Sequence, residues 1–593
     1  MKALHALLPG VICLAALLPI RGEAQTRVVT SNGLLAAVIR TGDGSVSDVF
    51  PRIYRAFDSL CIVEPILRDL RLRAEGKPLR VRYAGNTHIV EVEYAGLKVS
   101  YFAPFTTGER VFYAVVQGEK ARVSAAEFVW EHATEGLRTL DMTFGAGTPG
   151  YRRIFLFAGQ DSSRGDDGDL RPSKARLQTS GGDLLENEYR YMRFVIEGAA
   201  LPRRLLPEER NLAEQSITVL KMAQVSPYET VVQSRGQILA SLPPGEWNIS
   251  WVRDGCYAIL ALSRIGLYEE AQNALRFFLN ASSGTYGEYV HTDGRDYGVG
   301  VPYRISVCRY SGAGVEESDF NADGPNIELD GFGLFLTAYC DYVARSGDSL
   351  FVRETYRIVA EEVAEAILRL IAPNGCLRQD SGPWERHLPG KQYAFTSIAA
   401  VRGLSDFARL GRNHGAPEWQ RYDAGAERIR EGIRRLLVVG GKYIKGNVSA
   451  RRQGDDEYFD AASFEAFGLG VIDDPELLAS HLQVYEKHLR LPGHGGGFRR
   501  VSGGDKYDSA EWVFLDLRIA SALCRSGMRW KARSLLKWVT GQSARTQNLI
   551  AELYGPESAA AGGAIPMAGY GAGAYLLALA DWYQGGERRW RSP

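Results

Sequence analysis

Two glutamates among the 70 acidic residues stand in settings suited to proton transfer. Glu385 lies in Ser381-Gly382-Pro383-Trp384-Glu385-Arg386-His387, an irregular stretch just ahead of a helix expected from about Tyr393. A Trp beside a carboxyl group lowers local polarity, disfavours the charged form and keeps a proton available. Glu552 ends the apolar run Leu549-Ile550-Ala551 and enters Leu553-Tyr554-Gly555-Pro556, a turn before the last helix. A carboxylate held at the end of a buried segment can orient and deprotonate water. A third group, Trp251-Val252-Arg253-Asp254-Gly255, opens a helix. Arg offers a fork of donors and Asp an acceptor, so the pair can grip a polyhydroxyl ring. One carboxyl that gives a proton and another that activates water is the equipment for cleaving a glycosidic bond. Each piece also has an ordinary reading. Glu385 could be a surface residue paired with Arg386, Glu552 a cap on local backbone, and Asp254 the acid favoured at a helix N-terminus with Ser250 as cap.

The elements that must carry these residues fall into two halves, as 593 residues exceed one hydrophobic core. From about Arg27 to Glu197 the pattern is strand-like: Val90, Val92 and Tyr94 alternate with Glu91 and Glu93, then Leu97, Val99 and Tyr101 with Lys98 and Ser100. Gly85-Asn86, Ala95-Gly96 and Thr107-Gly108 punctuate them at hairpin spacing, which points to an antiparallel β-sandwich over residues 25–200. From about Pro207 the period is helical, with runs at 208–224, 251–265, 268–281, 328–346, 349–372, 393–412, 417–437, 458–470, 474–489, 508–526, 529–543 and 570–583. Those twelve runs make six hairpins, which can close into an all-α (α/α)6 toroid over 201–593; an open solenoid is the rival. The connections 225–250, 282–327, 373–392, 490–507 and 544–569 are long and rich in Gly, Pro, aromatics and charge. Long irregular loops in a compact domain are usually functional, and these could gather on one mouth of a toroid.

Lys+Arg and Asp+Glu are both 70, so nothing in the charge favours nucleic acid or an anionic membrane as partner. A neutral oligo- or polysaccharide fits that balance. Lys2, the apolar run Leu7–Ile20 broken by Pro9 and Pro19, and Gly22-Glu23-Ala24 read as a signal peptide over 1–24, hence export to a periplasm or the medium. Past Cys13, six scattered cysteines (Cys61, Cys256, Cys308, Cys340, Cys376, Cys524) show no C-x-x-C spacing, so no zinc site or disulfide scaffold is expected. No cofactor is expected either. Calcium at the Asp161–Asp169 loop is conceivable, although a solvated turn explains it as well.

Taken in register, Trp251-Val252-Arg253-Asp254-Gly255, Glu328-Leu329-Asp330-Gly331, Trp384-Glu385 and Ala551-Glu552-Leu553-Tyr554 resemble glycoside hydrolase family 15, the glucoamylase family, over about 208–583. That family includes glucodextranases and some trehalases, and its prokaryotic members carry an N-terminal β-sandwich. The resemblance implies Glu385 as general acid and Glu552 as general base of an inverting, exo-acting enzyme that releases β-glucose from non-reducing ends. It implies that Arg253 and Asp254 bind the terminal sugar, that Trp251 and Trp384 wall the pocket, and that Asp330 lies nearby. Arg386 and Tyr554, beside the two carboxyl residues, complete the expected substrate contacts. Arg386 stands where the family often has a second acid, and Met567 and Gly569 where aromatic and polar residues are common, so substrate preference is expected to differ from a starch glucoamylase. Three alternatives remain open: another linkage within the family, phosphorolysis on a similar scaffold, and a non-catalytic sugar-binding protein that kept the pocket.

Overall fold

Alternating apolar residues and two-residue turns build the first third of the chain into strands. The computed structural model describes residues 27–55, 64–73, 76–135, 137–144, 151–158, 171–180 and 183–584. The expected leader, Cys13, Cys61 and the Asp161–Asp169 loop fall outside them. One antiparallel sheet runs β1 (Arg27–Ser31), β2 (Ala36–Arg40), β3 (Val46–Phe50), β4 (Leu67–Leu72), with two short strands, 128–129 and 132–133, both pairing with β4. The second is ordered Arg138–Phe144, Tyr151–Ala158, Val111–Gly118, Leu97–Phe102, Val90–Tyr94, Arg80–Tyr83. Tyr94 pairs with Leu97 across the expected Ala95-Gly96 turn. Tyr83 ties the sheets by donating to the Val29 carbonyl at 2.8 Å.

The strand reading of this half needs correction at three helical segments among the described residues, of which Lys120–Ser124 and Arg171–Ser180 are the shorter two. Leu184–Gly198 is a helix, burying Leu184, Glu188, Met192 and Ile196 at four-residue intervals, a period legible in the sequence. It helps cover the outer face of the second sheet, where Phe102, Tyr113 and Leu156 are buried in a core of their own that includes Leu184. A strand buried on both faces carries no polar alternation, and Val111–Val116 is buried throughout.

The second half closes on itself. Six inner helices, Val252–Arg264, Asp330–Ser346, Ala394–Asn413, Glu465–Gly468, Val513–Arg525 and Ala574–Gln584, pack each against the next, and the last returns to the first. The open solenoid is thereby excluded. The inner helices are buried on nearly every face, as Val513–Cys524 shows by being entirely buried, its Asp516 and Arg518 included. Outer helices such as Trp419–Leu436 bury a single stripe: Tyr422, Gly425, Ala426, Ile429, Gly432 and Ile433. No helix among the described residues is long and apolar enough to cross a membrane. The cysteines at 256, 308, 340, 376 and 524 are buried free thiols.

Glycines let the second and third inner helices meet closely. A Cβ on Gly403 would stand 2.4 Å from the Gly333 carbonyl oxygen, and one on Gly333 would stand 2.3 Å from that of Ala399. Neither backbone can move aside without sliding a helix. Gly403→Ala is expected to cost about 1–3 kcal/mol, read as a lower urea midpoint; an unchanged midpoint would show that this part of the ring is free to adjust.

The sandwich reaches the ring's mouth. Arg55 donates through its backbone N–H to the Asn248 carbonyl (3.1 Å) and through Nε to Asn248 Oδ1 (3.0 Å). That pins the loop which carries Trp247.

Candidate active site

All five long loops supply residues to one end of the ring, where inner helices begin. Strand Ser250–Trp251 pairs with Arg309–Tyr310 and delivers Arg253 and Asp254 into the first turn of Val252–Arg264. Ser250 is not the cap; Trp251 holds that position without a side-chain bond. Asp330 opens the next inner helix. Glu385 sits in a tight turn with its N–H on the Gly382 carbonyl and a φ of +57°, a left-handed backbone that costs a non-glycine about 1–3 kcal/mol.

That turn sends neighbouring side chains apart. Glu385 Oε1 accepts from the Trp251 indole N–H and lies 3.8 Å from Arg253 Nη2. Trp384 turns away, donates to Asp460 Oδ1 at 2.9 Å and lies under Arg500, 5.2 Å from its ring. The apolar environment expected from Trp384 therefore does not surround Glu385, whose side chain keeps 29% of its surface exposed. Arg386 also turns away, held by Glu457 and by Asp508 at 3.0 Å. The surface-pair reading of Glu385 with Arg386 fails, and Arg386 is committed to protein partners.

Arg253 is the buried hub. It donates to Glu328, to Tyr570 Oη at 2.9 Å and to Asp330 Oδ1 at 3.3 Å. Burial works against its charge, but Glu328, Tyr570, Asp330 and Glu385 outweigh that and hold the guanidinium above its usual range. Beside it, burial pushes the Asp254 carboxyl up to about 7; Arg253 opposes this, while Glu552 and Glu385 add to it. Asp254 thus feels both candidate catalytic carboxyl groups, and its Oδ1 has no hydrogen-bond partner among the described residues. Gly569 lies against this turn: a Cβ there would stand 1.9 Å from the Asp254 carbonyl oxygen.

Glu552 is held by three donors: the Trp247 indole N–H (3.1 Å) and the Ala564 N–H (2.9 Å) on Oε2, and the Tyr507 hydroxyl on Oε1. The backbone-cap reading is thus part of the truth. Burial raises this carboxyl's pKa; Tyr507, the Ala564 N–H and Trp247 pull it back down without cancelling the rise. The donors to the two glutamates touch, Trp247 meeting Trp251 edge-on at 5.6 Å. Removing a donor from the charged form raises a carboxyl's pKa. Tyr507→Phe is therefore expected to move the acid limb of kcat/KM to higher pH, since the general-base role expected of Glu552 requires its ionised form. A limb that stays in place would separate that limb from Glu552.

The structure brings Trp251, Arg253, Asp254, Asp330, Glu385 and Glu552 together. It leaves Tyr554 out: strand pairing buries that ring 6.5 Å from Trp538 and close to Glu511. Sequence reasoning missed Trp247, Glu328, Tyr507, Arg500 and Tyr570 as individuals. Trp247, Arg500 and Tyr507 lie in loops marked by their length, and Glu328 lies inside a quoted motif, but their partners are distant in sequence. Arg500 packs over Trp512 (4.4 Å) and Tyr507 (5.0 Å) while paired with Asp508, bracing the side chain that holds Glu552.

Residues 218–508 match the family model for glycosyl hydrolases family 15. A trehalase of Mycolicibacterium smegmatis (strain ATCC 700084 / mc(2)155) is 26% identical over 302 residues, which is 47% of this chain and 41% of that protein, so the match spans about two fifths of the relative's length. A bacterial glucoamylase complexed with acarbose superposes with a TM-score of 0.63 at 13% identity, covering 95% of this chain and 96% of its own. A single-residue variant of a second solved protein, named only as a glycosidase, superposes with a TM-score of 0.50 at 20% identity over 65% of this chain and 99% of its own. At these identities the structural likeness establishes a shared fold.

Proposed function

Over residues 218–508 the chain belongs to glycosyl hydrolases family 15, and from that premise we propose an inverting, exo-acting α-glucoside hydrolase that releases β-glucose from non-reducing ends. The observation that carries the reading is the pair of glutamates held at one mouth by touching indoles, Trp251 on Glu385 and Trp247 on Glu552. In the proposed reaction Arg253 and Asp254 grip the terminal sugar. Glu552 takes a proton from water, and that water attacks the anomeric carbon. Glu385 protonates the departing oxygen from the opposite side, so an α-bond yields a β-product. Trp251 and Arg253 both address Oε1 of Glu385, which leaves Oε2 as the atom to carry the proton. Export is part of the proposal and rests on the leader pattern alone.

A second reading, hydrolysis of trehalose, is favoured by the name of the Mycolicibacterium smegmatis relative. Maltose, maltooligosaccharides, isomaltose, dextran and trehalose followed by proton NMR separate the two. β-Glucose is the expected first product, and the preferred substrate names the linkage. Release of α-glucose from the non-reducing ends of maltooligosaccharides or dextran would overturn inversion and the role of Glu552; from trehalose, inversion gives β-glucose from the attacked half and α-glucose from the leaving half in equal amounts. Binding without turnover of any of these sugars, with or without phosphate, would leave the non-catalytic sugar-binding reading.

A further inference from the structure

Behind the mouth, Cys308 Sγ, one carboxylate oxygen of Glu328 and one of Glu385 lie within 4.8 Å of one another. We propose that these three side chains form an inhibitory site for a thiophilic divalent cation of the Zn2+ type. The site is preorganised on its inner side. Cys308 is 2% exposed, its N–H accepted by Ser306 Oγ at 3.1 Å and its carbonyl accepting from the Val252 N–H at 3.1 Å. Glu328 is equally buried and spends Oε2 on Arg253, while its Oε1 has no hydrogen-bond partner among the described residues. A buried carboxylate oxygen without a partner is rare and costly, and it calls for a ligand. Glu385 spends Oε1 on Trp251, and its side chain is the partly exposed one of the three.

Three such donors with one open side match the tetrahedral preference of zinc, water filling the fourth position, and the thiolate selects against Mg2+ and Ca2+. Zinc–ligand bonds of about 2.0–2.3 Å put donors about 3.3–3.8 Å apart, so donors separated by as much as 4.8 Å must close by about 1–1.5 Å. The accessible partner, Glu385, is the one placed to move. On binding, the Cys308 S–H bond breaks, sulfur keeps the electron pair for the metal, and the proton leaves to water. Arg253 and Arg309 oppose a cation here. Glu317 at 3.0 Å from Arg309 and Glu328 on Arg253 offset those two charges.

Metal binding and inhibition are separable. Inhibition rests on the proposed acid role of Glu385, which the cation would occupy; binding does not. The test titrates the full chain with Co2+ alone and follows the near-ultraviolet thiolate-to-cobalt band, then repeats it with Cys308→Ser and Cys308→Ala. The wild type is expected to develop the band and lose it to Zn2+, and both variants to lack it while keeping the wild-type circular dichroism. In hydrolysis assays Zn2+ is expected to inhibit reversibly, with relief by a chelator and at least tenfold weaker inhibition of Cys308→Ser. No band in the wild type, or an undiminished band in both variants, would overturn the site. Equal Zn2+ inhibition of wild type and Cys308→Ser would overturn its inhibitory role. A band that requires Cys308 in a protein that hydrolyses no glucoside would uphold the site and sink the functional reading instead.

Discussion

Glu552→Gln is expected to lower kcat by about 100- to 10,000-fold, the range that a positioned proton-transfer group contributes. The substitution is nearly isosteric and replaces a carboxyl that burial already disfavours as an anion. Folding should therefore survive, at the cost of one donor facing a donor among Trp247, Ala564 N–H and Tyr507. The informative comparison is with Glu385→Gln. An acid that protonates the leaving group matters less when that group leaves easily, so the Glu385→Gln deficit should shrink on α-glucosyl fluoride. The Glu552→Gln deficit should persist, because water must still be deprotonated. If both shrink alike, the assignment of acid and base is wrong. If kcat is unchanged in Glu552→Gln, that residue has no part in the reaction.

Arg253→Leu is expected to destabilise the protein by about 3–5 kcal/mol, because breaking a buried ion pair strands its partners. Glu328 and Asp330 are both fully enclosed, burial pushes both carboxyls up, and Arg253 is the chief influence pulling them down. Without it they rise further and take up protons on folding. A group whose folded pKa is raised contributes its stability below the unfolded value and loses it as pH climbs through the folded one. The variant should therefore be least impaired in acid and fall further behind wild type as pH rises, measured by urea unfolding at several pH values. A deficit independent of pH would mean that packing, rather than stranded carboxyls, carries the loss. Arg253→Lys should rescue only in part, since one ammonium cannot reproduce the fork that meets Glu328, Asp330 and Tyr570.

The sequence by itself determined the periods, and with them the elements. The two-residue alternation of Val90–Tyr101 and the mostly apolar helical runs such as 252–264 and 513–525 are local patterns, legible without knowing what they face. It also determined that these candidates would gather, because Trp251-Arg253-Asp254, Asp330, Glu385 and Glu552 all precede or open inner helices, and ring closure brings such ends to one mouth. The helix Leu184–Gly198 was legible too, but its buried positions recur every four residues amid strands. What only the tertiary structure decided was which way each side chain points and whom it meets. A left-handed backbone at Glu385 sends Trp384 to Asp460 and Glu385 to Trp251, an outcome of one dihedral angle that residue types do not encode. Strand pairing turns Tyr554 away from the cluster while Glu552, two residues earlier, enters it. Trp247 and Tyr507 reach Glu552 across separations of 305 and 45 residues. Such pairings arise only when loops from different hairpins are laid side by side, and loops carry no period from which to read them.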